Sequence, residues 1–137
     1  MRNENILKPT GIKRMGQRDL KQRTKLFALE VITFVEELPK RRTVEILGRQ
    51  LLRSGTSAGA NYRSACRARS AADFIAKMGI VEEEIDESIY WMELLVESGI
   101  ISLKDIEALM KEAPVGSGSC SFRIPNSAIR INKRRDR

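Results

Sequence analysis

The chain has 137 residues and carries 25 Lys+Arg against 18 Asp+Glu, a formal net charge of +7. This length suits one domain with its own core. The sequence contains no histidine, and Cys66 and Cys120 match no metal or redox spacing, which argues against a metalloenzyme and against a disulfide framework. No apolar run reaches the roughly 18 residues of a membrane span, and the start lacks a signal peptide, so we expect a cytoplasmic protein with no membrane partner.

The first half of the chain predicts a basic arm and two helices. Residues 1–18 are polar and basic without a period, and we expect them to form a mobile arm. Residues 19–38 repeat apolar positions every three or four residues, which places these side chains on one helix face. The repeated positions are Leu20, Thr24, Phe27, Val31, Phe34 and Leu38. Pro39 ends this helix, and Thr43 is a suitable N-cap for a second helix that is predicted to run to Arg69.

The second helix is rich in small residues. Helical spacing predicts a buried seam of Gly48, Leu51, Gly55, Ala58, Tyr62, Ala65 and Arg69. A glycine inside a helix costs about 1 kcal/mol relative to alanine, so we expect a neighbouring helix to approach closely at Gly55 and Gly59. The alternative is a turn at Gly55–Gly59 that divides the segment into two helices.

Two further stripes flank this seam. A polar stripe consists of Gln50, Ser54, Ser57, Asn61 and Ser64. A basic stripe on the other side consists of Arg49, Arg53, Thr56, Ala60, Arg63 and Arg67. We expect these arginines to be available to a ligand only where they form no ion pair with a carboxylate.

The second half of the chain predicts a long helix and a short one. Ser70 and Asp73 have the spacing of a capping box and open a helix over about residues 71–98, which Gly99 ends. Its apolar face is predicted to contain Phe74, Met78, Val81, Ile85, Ile89, Met92 and Val96.

A fourth helix begins after the N-cap Ser102 and is ended early by Pro114. Residues 114–137 are basic and without a helical period, so we expect a disordered tail. Because the connections are short, neighbouring helices should be antiparallel. The sequence therefore predicts an all-α, up-down-up-down four-helix bundle over residues 19–113 with a truncated fourth helix.

Charge is unevenly distributed along the chain. Residues 1–70 carry 16 Lys+Arg and 6 Asp+Glu, whereas residues 71–113 carry 3 and 11. Such a basic surface favours contact with the phosphates of RNA or DNA and not base readout, and 5% aromatic residues are too few for a stacking platform. The candidate phosphate-binding residues are Lys13, Arg14, Arg18, Lys21, Arg23, Lys25, Lys40, Arg41 and Arg42.

An acidic segment of the third helix is the one cluster that suggests catalysis. Glu82, Asp86, Glu93 and Glu97 share a helix face by their spacing, and a carboxylate-only site would suit Mg²⁺ or Mn²⁺. We favour a different role, in which this face meets the arginines of the second helix in the same chain or in a neighbouring one. We therefore predict no catalytic residue, no metal, no cofactor and no small-molecule substrate.

Three large side chains, Tyr90, Trp91 and Met92, follow one another on the third helix and cannot all face one seam. A single-chain core would take Met92. Because aromatic residues are enriched at protein interfaces, we predict that Tyr90 and Trp91 lie at an oligomer interface. The alternative is that one large side chain simply covers the surface.

The segment Arg-Ser-Gly-Thr-Ser, followed by Ala-Asn-Tyr-Arg and then Arg-Ser-x-x-Asp-Phe, resembles a known family. These are the four-helix-bundle proteins named after intervening sequences in bacterial 23S ribosomal RNA genes, also labelled S23 ribosomal proteins, and the resemblance covers about residues 19–112. It implies a bacterial protein with a left-handed bundle. The related accessory proteins of retroelements imply a homo-oligomer, a pentamer, with a basic surface that binds nucleic acid.

The resemblance places Arg53, Ser57, Asn61 and Arg69 at signature positions, where it implies structural or interfacial roles. The full set that we expect at helix contacts or interfaces is Arg53, Gly55, Ser57, Gly59, Asn61, Tyr62, Arg69, Tyr90 and Trp91. The chain departs from the family pattern after Glu112, where relatives continue the fourth helix with an apolar stretch.

Three functions are compatible with the sequence. The first is a non-enzymatic, self-associating bundle that binds RNA or DNA non-specifically through its basic surface. The second is a protein–protein scaffold without nucleic-acid binding. The third, which has the least support, is a carboxylate metal-dependent nuclease.

Overall fold

The computed structural model describes residues 17–114, which form four helices and contain no strand. Their bounds are α1 Gln17–Glu37, α2 Arg42–Ala65, α3 Ala71–Glu97 and α4 Leu103–Glu112. The prediction of an all-α four-helix bundle is confirmed. The predicted mobile arm and disordered tail lie outside the described residues, except for their innermost positions.

The helices follow one another around the bundle. Helix α2 packs against both α1 and α3, and α4 contacts α1 and α3. Helices α1 and α2 are antiparallel, because Gly48 near the start of α2 lies against Val35 and Leu38, whereas Gly59 lies against Thr24. Each connection is only a few residues long, which leaves sequence neighbours packed side by side.

The α1–α2 contact depends on the absence of side chains on α2. A Cβ atom built on Gly55 would lie 2.9 Å from the Val31 Cγ2 atom, which is closer than carbon atoms pack. Helix α2 continues through this contact without a break, so the alternative of a turn at Gly55–Gly59 is wrong. The predicted seam is buried from Gly48 to Ala65.

The prediction that α2 extends to Arg69 is wrong, because α2 ends at Ala65 and Arg69 is exposed in the connection to α3. The reason is the N-cap of α3. Ser70 adopts extended backbone angles and its side chain accepts a hydrogen bond from the Asp73 N–H, while the Arg69 N–H donates to the Asp73 carboxylate at 3.3 Å. A helix cannot continue into a residue that must be extended.

The other predicted helix ends have mixed outcomes. The predicted N-cap at Thr43 is wrong: the N-cap is Arg41, which is extended and makes no side-chain capping bond, because the Arg41 N–H closes a tight turn onto the Pro39 carbonyl at 2.9 Å. The N-cap at Ser102 is confirmed, with a complete capping box to Asp105. Gly99 ends α3 with a φ of 74°, a conformation that suits glycine.

The core has two parts because α4 is short. In one part, Phe27, Leu51, Met92 and Ile106 bring buried side chains together from all four helices. The other part consists of buried Ala58, Tyr62, Val81 and Ile85 from α2 and α3, with partly buried Leu20 of α1 packed against them. The 10-residue α4 covers only the first part, which confirms a truncated fourth helix.

The predicted polar stripe of α2 faces α3. The hydroxyl oxygens of Ser54 and Ser88 lie 2.9 Å apart, and both side chains are fully buried. Each hydroxyl also reaches a carbonyl of its own helix, that of Gln50 for Ser54 and that of Glu84 for Ser88. Small hydroxyl side chains therefore let α2 and α3 approach while their polar atoms stay hydrogen-bonded.

Candidate nucleic-acid interface

The predicted phosphate-binding residues near the start of the chain are only partly within the described range. Lys13 and Arg14 lie outside it, and Arg18 lies in the first turn of α1 but its side chain is not described. Lys21 and Lys25 are exposed on α1. Of the predicted cations near the start of the chain, Lys21 and Lys25 are therefore the two whose exposed side chains the structure describes.

The remaining predicted cations are differently placed. Arg23 is half-buried and already interacts with another group of the protein. Lys40, Arg41 and Arg42 are exposed where α1 connects to α2. At about 1.5 Å per residue, the 15 residues between Lys25 and Lys40 separate the two groups by roughly 22 Å, so the predicted set does not form one compact patch.

The structure brings arginines of α2 to the lysines of α1. Because the helices are antiparallel and Gly59 lies 3.5 Å from Thr24, Arg63 lies one turn further along α2 at the level of Lys21. Arg67 follows in the turn after α2, at the same end of the bundle. We define the basic face as the exposed cations on the outer side of α1 and α2, namely Lys21, Lys25, Arg49, Arg63 and Arg67.

Acidic residues are sparse around the basic face in the sequence, although Glu45 lies one turn before Arg49 on α2. Residues 46–72 contain five arginines and no Asp or Glu, and residues 20–29 likewise contain no acid. Within the described range, Arg49, Arg63 and Arg67 form no ion pair. The basic stripe already indicated these arginines in the sequence. That they lie near Lys21 and Lys25 follows only from the register of α1 against α2.

Arg53 differs from the other arginines of α2. Its guanidinium pairs with the Glu87 carboxylate and lies 3.8 Å from the Glu84 carboxylate, and Glu87 also accepts a hydrogen bond from the Trp91 indole N–H at 3.1 Å. The hydrogen bond from Arg53 lowers the pKa of Glu87, although partial burial opposes this shift. Arg53 therefore meets carboxylates of α3 within the chain, but these belong to Glu84 and Glu87 and not to the predicted face of Glu82, Asp86, Glu93 and Glu97.

We define the acidic stripe as Glu82, Asp86, Glu93 and Glu97 of α3. The pKa of Glu93 is raised, first by burial and then by the negative charges of Glu97 and Asp86. Neither Glu93 nor Glu97 has a cationic partner among residues 17–114. In the same part of the chain, no three Asp, Glu, His or Cys side chains lie close enough to hold a metal ion.

The three consecutive large side chains of α3 have different surroundings. Met92 is fully buried, as predicted, whereas Tyr90 is 50% exposed. Trp91 packs half-buried against the core, and its ring meets the Tyr90 ring edge-on with 5.1 Å between centroids. Contacts within the chain therefore account for Trp91 and Met92, and Tyr90 remains available at the surface.

The α2 residues predicted at helix contacts are mostly engaged within the chain. Gly55 and Tyr62 are buried, and Ser57, Gly59 and Asn61 are half-buried. The Asn61 amide donates to the Ser57 carbonyl at 2.9 Å, which keeps that polar side chain on its own helix. Packing between α1, α2 and α3 is sufficient to explain these small and polar residues.

Comparisons with known proteins agree with this architecture. The family model described as "23S rRNA-intervening sequence protein" matches residues 17–115. A crystal structure of a protein of unknown function, from the S23 ribosomal protein family of Bacteroides thetaiotaomicron VPI-5482, is similar with 31% identity and a TM-score of 0.66. The similarity covers 87% of this chain and 93% of that one.

No curated protein matches the chain. Among the described residues, no helix combines the length and the apolar character that a membrane span requires. The family match covers most of the chain and coincides with the four helices. The chain therefore belongs to the 23S rRNA-intervening sequence protein family.

Proposed function

We propose that this protein is a non-enzymatic, self-associating, cytoplasmic bundle that binds the phosphates of RNA or DNA through its basic face. The observation that supports this most is that Lys21, Lys25, Arg63 and Arg67 lie together on the outer side of one end of the bundle, with Arg49 on the same side about 21 Å further along α2. No acidic residue occurs in the adjacent segments 20–29 and 46–72. A surface of one sign attracts an anionic polymer and raises its local concentration.

The chemistry of this face favours binding without base readout. Its side chains are long cations that neutralise phosphates, and no described element has the form of a recognition helix or a stacking platform. If all five cations release counterions from a duplex, the logarithm of the binding constant falls with that of salt concentration with a slope of about −4 to −5. Affinity should therefore be strongly salt-dependent and similar for unrelated sequences.

A mobility-shift titration of the full chain with duplex DNA and structured RNA at several salt concentrations tests this proposal. Replacing Lys21 and Arg63 together by alanine should lower the affinity for every sequence and reduce the salt slope by about 2, because each phosphate contact contributes about 1. The matched control replaces Lys104 and Lys111 of α4 by alanine, which removes the same charge elsewhere. Absence of binding at low salt, or equal losses for both pairs, would contradict the proposal.

A protein–protein scaffold is the second candidate. It is favoured by Tyr90, which is half exposed and lies on the same helix as Glu93 and Glu97, two carboxylates that have no cationic partner among residues 17–114. Such a scaffold would self-associate and show no affinity for polyanions. A metal-dependent nuclease has less support, since the carboxylates of residues 17–114 are not grouped as metal ligands.

A further inference from the structure

Helix α4 is too short to cover one side of the bundle. Its start lies beside the end of α1, since Leu38 and Ser102 line one pocket. Its end lies beside Glu30, because burial raises the pKa of that carboxyl and the negative charge of Glu112 raises it further. From Glu30 back to Gln17, α1 continues for 13 residues, about 20 Å, past the end of α4. Among residues 17–114, no helix covers the groove of this length between α1 and α3.

The walls of this groove are apolar, and their exposure increases with distance from α4. Along α3, Met78, Ile85 and Met92 recur every seven residues, which places them on one helix face. Met92 is fully buried and Ile85 is 6% exposed, whereas Met78 is only partly buried. Ile75, one turn earlier, is 69% exposed, and Leu20 of α1 is also only partly buried. The apolar face of α3 thus continues beyond the part that α4 covers.

We propose that residues 122–131 of the same chain lie in this groove and replace the turns that α4 lacks. Ala113 and Pro114 are both buried, so the chain still lies against the core where the described range ends, at the start of the groove. Ala113 has left the helical conformation, with φ −54° and ψ 123°, and leads the chain on in an extended direction. The proposal depends neither on phosphate binding nor on self-association.

The connecting residues are long enough for this placement. Residues 115–121 are seven in number and contain two glycines and three serines, a composition typical of a flexible linker. At up to about 3.3 Å per residue, seven residues span about 23 Å. Residues 122–131 can therefore reach any position along a groove of about 20 Å.

The apolar residues of this segment have the spacing of an extended chain. Two tripeptides alternate apolar and basic residues, namely Phe122, Arg123 and Ile124 and then Ile129, Arg130 and Ile131. Successive side chains of an extended chain point to opposite sides, so the apolar side chains can face the groove while the arginines face outward. Pro125 disfavours a regular helix through this segment.

The charges of the segment and of the groove are complementary. Residues 115–137 carry six Lys+Arg and one Asp. Glu82 lies seven residues after Ile75 and seven before Ile89, so it belongs to the side of α3 that borders the groove. Glu82 and the adjacent Glu83 are exposed and form no ion pair among residues 17–114. Arginines on the outer side of a bound segment would pair with carboxylates at this rim and favour one orientation.

Hydrogen exchange of the full chain, followed by mass spectrometry at low ionic strength, tests the proposal. Peptides that cover residues 122–131 should exchange at least about tenfold more slowly than an unstructured chain of the same sequence. This protection should be the same over an about hundredfold range of protein concentration, because the segment and the groove belong to one chain. Unprotected exchange, the behaviour of a disordered tail, overturns the proposal. Protection that rises with protein concentration places the segment on a second copy and also overturns it, as does protection of residues 1–16 instead.

A matched pair of variants identifies the groove. Ile75→Ser should reduce the protection of residues 122–131 at least about threefold, whereas Ile80→Ser should leave it unchanged, since Ile80 lies two residues after Met78 and about 200° around α3. Both isoleucines are exposed, so neither change should unfold the bundle. Phe122→Ser should reduce the protection as Ile75→Ser does. Equal effects of the two α3 variants, or no effect of Phe122→Ser, would refute docking in this groove.

Discussion

Replacement of Gly55 by alanine tests the packing on which the bundle depends. The added Cβ atom would lie 2.9 Å from the Val31 Cγ2 atom and 3.0 Å from its Cγ1 atom. Val31 is fully buried and, as a β-branched residue in a helix, has one strongly preferred rotamer. The side chain cannot rotate away, so α1 and α2 must move apart.

The expected magnitude follows from two opposing effects. Alanine gains about 1 kcal/mol over glycine in a helix interior, and overpacking a close-packed contact costs about 1–3 kcal/mol. We therefore expect Gly55→Ala to lower the free energy of unfolding by about 1 kcal/mol. Two other helical glycines are internal controls, because a Cβ atom on Gly59 would find its nearest neighbour at an ordinary 3.5 Å and one on Gly79 would find nothing within 4 Å.

Urea denaturation of the three alanine variants at one protein concentration is the assay. Gly59→Ala and Gly79→Ala should each raise the free energy of unfolding by about 0.5–1 kcal/mol. Combining Gly55→Ala with Val31→Ala should recover about 1 kcal/mol relative to the sum of the two single changes. If Gly55→Ala stabilises the protein as much as Gly79→Ala does, the close approach of α1 and α2 is refuted.

Four further predictions concern protonation, capping and the core. The pKa of Glu93 is raised in the folded state, so its ionisation destabilises the protein as pH rises above about 4; Glu93→Gln should be more stable than the parent at neutral pH and equal to it in acid. The pKa of Glu87 is lowered, so its contribution is present at neutral pH and lost as pH falls through the folded value; Glu87→Gln should be less stable at neutral pH, and pH-dependent thermal melts should show the gap closing in acid. Ser102→Ala removes the capping box of α4 and should cost about 1 kcal/mol in urea denaturation, and an unchanged midpoint would show that α4 contributes nothing. Met92→Ala should cost about 2–5 kcal/mol because Met92 is fully buried, whereas Tyr90→Ala should change monomer stability by less than about 0.5 kcal/mol, and similar losses in the two melts would contradict these placements.

The helices could be predicted from the sequence because their signals are local. Apolar positions recur every three or four residues, and Ser70 and Ser102 accept hydrogen bonds at the helix starts as their spacing with Asp73 and Asp105 indicates. The end of α2 could not be placed by the same reasoning. Apolar and basic periodicity continues to Arg69, but the extended conformation of Ser70 ends α2 at Ala65.

The candidate site was less predictable than the helices. The sequence indicates which residues are cationic, but not which cations of different helices are neighbours. Lys21 and Arg63 are 42 positions apart in the chain and lie at one level because Gly59 contacts Thr24. Likewise, the spacing of the α3 carboxylates does not reveal that Arg53 pairs with Glu87 and not with the acidic stripe.

The sequence by itself determined the fold class, the small-residue seam of α2 and the opposite charges of α2 and α3, because periodicity, capping and composition are properties of neighbouring residues. Tertiary structure alone decided which arginines of α2 are paired and which stay exposed, and that Trp91 packs against the core while Tyr90 is exposed. The physical reason is that burial and ion pairing depend on the register between helices. That register is set by close contacts such as Gly55 on Val31, between residues far apart in the chain.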